Sequence, residues 1–418
     1  MFGKKKSDVL IVGAGPVGLI AALTLVRRGV RVRIIDEAWR STHHAYGLAL
    51  HPDAMKLLRE LELIEPILQE AYRVNSLGLY GGTERCGQLD LALDDTFPFV
   101  AVFRQSLLEK LLTEALEKNQ VTVEWNHRLA RMETTDDHVQ VTIDRLVKEA
   151  GGYAVGGSRT VIASSKEYRL PFVIGADGHR SLVRRQLKLD FREVGKAQHF
   201  AVFEFSTDFD LEQEMRVILN PTNANVIWPL PNGRCRWSFE LPDYDHPEQE
   251  RKKSPLVVEI GGAHYPMLKE DNLRALLAER APWFTGEIGD IIWSLVVRFE
   301  RRLAESFGSS RVWLAGDAGH MTSPIGVQSM NIGLREAHEL ATLVADELEG
   351  KPGSRDHLQE YGQQRLAEWR RLFGIEGGLA PSDKTPDWLR PYAAELVLAL
   401  PGSGAGHDLL VRQLGLTA

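Results

Sequence analysis

Ser7 to Glu37 reads SDVLIVGAGPVGLIAALTLVRRGVRVRIIDE, and the order of its residue types decides the fold. Val9-Leu10-Ile11-Val12 is an apolar run of strand length. Gly13, Gly15 and Gly18 follow as GxGxxG, with Pro16 inside the motif. An apolar helical pattern then continues through Leu23 and Leu25 to Arg28, where Gly29 stops it. A second strand, Val30 to Ile35, leads to Asp36 and Glu37, with Asp36 placed 23 residues after Gly13. Strand, glycine turn, helix, strand and acid in this order form the fingerprint of a dinucleotide site. Gly13 permits the tight turn, Gly15 lets backbone approach a pyrophosphate, and Gly18 lets helix and sheet pack closely. The helix N-terminus offers free N–H groups and a positive dipole end to the phosphates. Asp36 is placed to accept a ribose hydroxyl.

Working outward, a chain of 418 residues favours two domains. Charged residues make up 26% and hydrophobic residues 44%, an ordinary globular balance. The net charge of −7 argues against nucleic acid as a partner, and Lys4-Lys5-Lys6 is too short a basic run to reverse that. No apolar run reaches the ~18 residues of a membrane span, and no signal-peptide core precedes the first strand. Cys86 and Cys235 give neither a metal spacing nor a disulfide framework, so a reducing, cytoplasmic location is expected. His43 and His44 lie in the loop 38–51 with no third ligand nearby, and no metal site is expected.

Pro52 to Leu68 reads as one amphipathic helix, and Gly81-Gly82 as a hairpin turn. Arg104 opens a strong helix. Gly151-Gly152 and Gly156-Gly157 mark an extended, exposed hairpin. Two further buried strands run into glycine–acid turns, Asp177-Gly178 and Gly316-Asp317. From about 195 to 294 the pattern alternates and is rich in aromatics, as in HFAVFEF, NVIWPL and RCRWSFE. That is a sheet with one covered face. A long helix is expected from about Asn331 to Leu348, a charged one over 355–373, and an appendage after it.

Three glycine–acid turns in this order and separation resemble the group A flavoprotein monooxygenases, the p-hydroxybenzoate and salicylate hydroxylase-like family, over about residues 7–373. The resemblance implies an α/β fold: a Rossmann-like FAD-binding domain, a discontinuous β-sheet substrate domain and a C-terminal helical appendage. The FAD-binding domain would comprise 1–75, 100–190 and 295–375, the substrate domain 76–99 and 191–294, and the appendage 376–418. It implies FAD as cofactor, held by Gly13, Gly15, Pro16, Gly18, Asp36, Glu37, Arg104, Asp177, Gly178, Gly316, Asp317, Pro324, Ser329, Met330 and Asn331. Arg104 falls where the family has an arginine near the flavin ribityl chain, and Asp317 where ribityl hydroxyls are bound. NAD(P)H would be a transient co-substrate, consistent with the lack of a second dinucleotide fingerprint.

The expected activity is hydroxylation of an electron-rich aromatic or polycyclic small molecule by dioxygen, through a flavin C4a-hydroperoxide. Because the flavin carries that chemistry, no protein catalytic residue is assigned beyond the loop Pro324, Gly326, Val327, Gln328 and Ser329. His199, Phe203, Trp228, Arg236 and Trp237 are the candidates for lining the substrate cavity. Other readings are an epoxidase, a halogenase, a dehydrogenase, or a flavin fold that binds ligand without turnover. The halogenase lacks its WxWxIP stretch here. A monomer or homodimer is expected. The chain departs from the family at Val327 and Ser329, which stand at two glycine positions, at His44 for an arginine and at Gly319 for an alanine. Val327 is expected to keep an ordinary extended or helical backbone, and Ser329 to cap the helix start.

Overall fold

The computed structural model describes residues 8–40, 47–150, 158–242, 244, 257–260, 266–323 and 325–417. Lys4-Lys5-Lys6, His43, His44, Gly151-Gly152, Gly156-Gly157 and Pro324 lie outside the described residues. Strand Val9–Val12 is buried throughout because it runs through a six-stranded sheet, parallel to Phe172–Gly175 on one side and Val32–Asp36 on the other. Layers cover both faces of such a strand, so its sequence has no polar alternation. Val312–Leu314 pairs in parallel beyond Phe172–Gly175, and Glu124–Trp125 beyond Val32–Asp36. Strands Val9–Val12, Phe172–Gly175 and Val312–Leu314 are therefore neighbours, and the three glycine-bearing turns leave the same edge of the sheet side by side.

Helix Pro16–Arg27 begins with proline at its first turn, where the missing N–H costs nothing, and is followed by Gly29 at φ 76°. It packs against helices Gln105–Lys118 and Gln328–Leu348. Leu19, Ile20 and Leu23 meet Leu340, Ala341 and Val344 there in a core closed to solvent.

A second sheet of eight strands is assembled from two separate stretches of chain. Its order is Val257–Ile260, Ile291–Phe299, Gln198–Ser206, Arg234–Glu240, Ala224–Leu230, Glu214–Leu219, Ser76–Gly81 and Glu84–Asp90. The hairpin Ser76–Asp90 turns at Gly82 and joins through a parallel pairing with Glu214–Leu219. Strand Ile291–Phe299 continues past the break expected at 294. One face of this sheet packs on helix Glu270–Arg280 through Phe203, Phe205, Trp237 and Phe239.

The single helix expected over Pro52–Leu68 is two, Pro52–Glu60 and Ile64–Glu70. The chain turns at Glu62, φ 54°, which lets Leu61, Ile64 and Ile67 all reach the core. The C-terminal segment carries helices Ala393–Ala399 and Gly404–Gln413. Leu396, Leu400 and Leu410 pack there with Leu91 and Val226. Among the described residues, no helix is long and apolar enough to cross a membrane.

Burial predicts a sharp contrast between two isoleucines. Ile11→Ala in the central strand, fully buried, should cost about 2–5 kcal/mol in urea unfolding. Ile162→Ala on the exposed hairpin strand Ser158–Leu170 should stay within about 0.5 kcal/mol.

Candidate cofactor and substrate site

At the first turn Gly13 takes φ 104°, and a methyl group there would collide with the Ala176 carbonyl. A methyl at Gly18 would collide with the Gly13 carbonyl oxygen. Gly15 differs. A methyl there would meet nothing within 4 Å, and Gly15 with Pro16 and Val17 lines an open cavity. Asp36 faces back into this turn, its Oδ2 accepting the Ala14 N–H at 2.7 Å and its Oδ1 the Ala38 N–H at 2.8 Å. A carboxylate has about four acceptor positions, so capacity for a ribose hydroxyl is left. Glu37 beside it is exposed.

The second turn lies alongside. Asp177 is turned inward, and its Oδ2 accepts the N–H groups of Leu182 at 2.6 Å and Val183 at 3.1 Å. Burial raises its carboxyl above the usual range. Its Oδ1 is buried without a partner among the described residues. Gly178 lines the cavity and leaves open space where a side chain would be. Arg184 locks this turn to the third, donating to the carbonyls of His179 and Ala318, each at 2.8 Å.

The third turn exposes Asp317 at the cavity while burying everything behind it. Gly316 packs against the Val17 side chain and the Gly333 backbone, joining the first turn, the third turn and the long helix. Its N–H donates to Glu336 Oε2 at 3.0 Å. Glu336 also accepts from Trp369 Nε1 at 2.9 Å and pairs with His320 Nε2 at 2.8 Å. Burial alone would raise the Glu336 carboxyl, but the charge and hydrogen bond of His320, with those of Trp369 and Gly316, outweigh it and hold it below the carboxylate range. His320 and Glu336 had only a weak sequence signal, a histidine after the turn and an acid inside an apolar helix face.

In the loop that follows, two expectations need correction. Val327 adopts φ 51° and ψ 28°, the left-handed region, instead of an extended or helical backbone. Such a geometry costs a β-branched residue about 1–3 kcal/mol. It persists because buried Asn331 straps the loop: its Nδ2 donates to Val327 O and Ala49 O, and its Oδ1 accepts His51 N–H, each at 2.8 Å. His51 is neutral, burial pushing its pKa down to about 3, and its Nε2 bonds the Gly326 carbonyl at 2.9 Å. Gln328 is anchored to the appendage, donating to Val397 O and Leu400 O, each at 3.1 Å. Ser329 does not cap. The helix begins at Gln328, and the Ser329 hydroxyl donates to Asp317 Oδ1 at 2.8 Å.

These turns and the second sheet enclose a cavity of about 480 Å³. Gly15, Gly178, Asp317, Val327, Ser329 and Met330 form one wall. Phe200, Val202, Trp228 and Leu295 form the opposite, apolar wall. Side chains alternate across a strand, and parity sorts the five substrate candidates. Trp228 and Arg236 line the cavity. Phe203 and Trp237 point to the other face, Trp237 stacked on Phe239 with centroids 4.9 Å apart. His199 has the parity of Phe203 and lies 5.2 Å from the Tyr244 ring. Missed by the sequence reading was Glu204, a buried acid in an apolar strand, which accepts from Arg236 Nη2 at 2.7 Å and Arg234 Nη1 at 3.3 Å. Trp293 was missed too; its ring lies 4.7 Å from the Arg236 guanidinium carbon.

FAD fits these residues. The open space at Gly15 and the exposed Asp317 carboxylate are what a pyrophosphate and a polyhydroxyl chain require, whereas the carboxylate of the expected contact Asp177 is buried away from the cavity and Gly178 lines it instead. Arg104, exposed at the end of its strand and directly before helix Gln105–Lys118, makes no ion pair with a described residue. Among the described residues, no cluster could hold a metal ion.

Two experiments follow from this geometry. Gly15→Ala should leave stability within about 0.5 kcal/mol and weaken FAD binding at least tenfold, whereas Gly18→Ala should destabilise the fold by about 1–3 kcal/mol or more. Thermal unfolding of the apoprotein and FAD titration separate the two. Asn331→Ala removes three hydrogen bonds from the loop, leaves the buried His51 N–H without its partner and should cost about 2–4 kcal/mol in urea unfolding.

The sequence matches the profile of the FAD binding domain family over residues 6–373. It is 28% identical over 374 residues to a 6-methylpretetramide 4-monooxygenase of Streptomyces rimosus, covering 88% of this chain and 60% of that one. It is 26% identical over 404 residues to a 3-(3-hydroxy-phenyl)propionate/3-hydroxycinnamic acid hydroxylase of Mycolicibacterium gilvum, covering 94% and 64%. The chain thus spans about three-fifths of the length of these curated relatives. Among solved structures, p-nitrophenol 4-monooxygenase from Pseudomonas putida shares the fold with a TM-score of 0.69 at 22% identity, covering 98% of this chain and 93% of that one. With most of its length matched by the family profile and its three turns converging on one cavity, this chain belongs to the FAD binding domain family.

Proposed function

We propose that the chain carries the catalytic centre of an FAD-dependent, NAD(P)H-consuming monooxygenase that hydroxylates an electron-rich aromatic or polycyclic small molecule. One observation carries this reading: a single cavity has the cofactor-binding turns as one wall and an apolar, aromatic sheet face as the other. Its size suits an organic ligand. The named relatives act on aromatic compounds, which supports the substrate class.

FAD, when bound, would supply the redox chemistry of oxygen insertion, with NAD(P)H as the electron source, dioxygen as the oxygen source and water as the second product. The protein's own residues position, polarise and exclude water. Gln328, Ser329 and Met330 open the long helix, so their N–H groups lack intrahelical acceptors, and Ser329 and Met330 line the cavity. Those donors and the positive end of the dipole favour negative charge at that wall. Val327, held left-handed by Asn331, fixes the direction of these groups. Phe200, Val202, Trp228 and Leu295 keep the opposite wall dry, and Arg236, held by Glu204, gives that wall a charged handle.

Steady-state assays of the FAD-loaded protein with phenols and polycyclic phenolics test the proposal. A true substrate should accelerate NAD(P)H oxidation at least tenfold and acquire one oxygen atom from labelled dioxygen. Flavin that NAD(P)H never reduces, or product labelled from water, would reject it.

A further inference from the structure

Ser329 stands where the resembled family carries glycine, and the structure gives its hydroxyl two neighbours. Oγ lies 2.8 Å from Asp317 Oδ1 and 3.3 Å from His320 Nδ1. The other ring nitrogen of His320, Nε2, lies 2.8 Å from Glu336 Oε2. His320 and Glu336 are both fully buried. A chain of polar contacts thus runs from a carboxylate exposed at the cavity, through one serine hydroxyl, to a histidine–glutamate pair shielded from water.

Counting hydrogens along this chain points to one arrangement. The Asp317 carboxylate only accepts, so the single Ser329 hydrogen is donated to Oδ1. Ser329 Oγ is then an acceptor toward His320, and Nδ1 must carry hydrogen for that contact to be a hydrogen bond. On the other side Glu336 accepts N–H groups on both oxygens, from Trp369 on Oε1 and Gly316 on Oε2. With both carboxylate oxygens already accepting, hydrogen on Nε2 completes the 2.8 Å contact to Oε2. An arrangement with hydrogen on both His320 nitrogens satisfies every contact along the chain. The ring is stacked on the Trp369 indole, centroids 3.8 Å apart at 21°, which fixes its plane.

We propose that Ser329 is a positioning residue: it ties Asp317 to the buried His320–Glu336 pair, holding the Asp317 carboxylate in one orientation toward the FAD ribityl hydroxyls. This rests on the reading of Asp317 as the ribityl acceptor. The glycine of the resembled family offers no hydroxyl to make the link. Without it Asp317 is an exposed side chain with free rotation, and its orientation must be fixed when FAD arrives. A pre-set acceptor avoids that entropy cost, so the link strengthens cofactor retention.

Histidine-selective ¹⁵N NMR of the protein at neutral pH, with His320→Gln to assign the signals, reads the proton count directly. Both His320 nitrogens should show attached hydrogens in the wild-type apoprotein and with FAD bound. In Ser329→Ala, Nδ1 should lose its hydrogen and the FAD dissociation constant should rise about tenfold. Ser329→Thr, which keeps the hydroxyl, should restore both signals and affinity, an outcome that simple packing would not produce. A bare His320 nitrogen in the wild type would overturn the proposal. So would Ser329→Ala with unchanged FAD affinity, or with weakened affinity and both ring hydrogens kept. Wild-type protein that bound no FAD would overturn the Asp317 reading itself; the ring proton count, taken on the apoprotein, keeps the two failures apart.

Discussion

Gly13 meets both Ala176 and Gly18 through backbone alone, and Gly333 does the same against Gly316. Backbone lies directly on backbone between the first two turns, and the Val17 side chain packs on Gly316 between the first and the third. This close approach permits three short motifs, far apart in sequence, to open into one space. It also explains why the glycines are not interchangeable. Two are filled spaces where a methyl group would push on carbonyl oxygens, while Gly15 faces the cavity and is small for a ligand's sake. Arg184 holds two of the turns together from behind, bonding a carbonyl of each.

Much of this was legible in the sequence because it depends on local order. A strand, a glycine turn and a helix show their periods directly, and the acid at the end of the second strand has a fixed spacing. What escaped depended on neighbours. Phe203 and Trp237 looked like cavity residues by composition, yet strand parity placed them in the core under helix Glu270–Arg280, with Trp228 and Arg236 on the other side. The registers were needed to see it: Trp228, Arg236, Glu204 and Trp293 form one row across four strands only once their pairing is known. Glu62 broke a helix whose amphipathic pattern runs on without interruption.

Val327 shows the same limit in backbone form. Local preference sends a valine to the extended or helical region, but Asn331, His51 and Gln328 bind the surrounding loop from three sides. Their hydrogen bonds together outweigh a strain of about 1–3 kcal/mol. Those partners come from the first third of the chain, the long helix and the C-terminal appendage. The loop is thus set by parts of the molecule that no short window of sequence contains.

The central claim is that cofactor and substrate share one cavity, with the flavin against the helix-start wall and the organic ligand against the sheet. Visible difference spectroscopy of the FAD-loaded protein tests this most directly. Titration with an aromatic ligand that fits should give a saturable perturbation of the flavin bands, and Trp228→Ala should weaken that ligand's binding without releasing FAD. A ligand that binds, by an independent measurement, with no effect on the flavin spectrum and no sensitivity to Trp228 would contradict it.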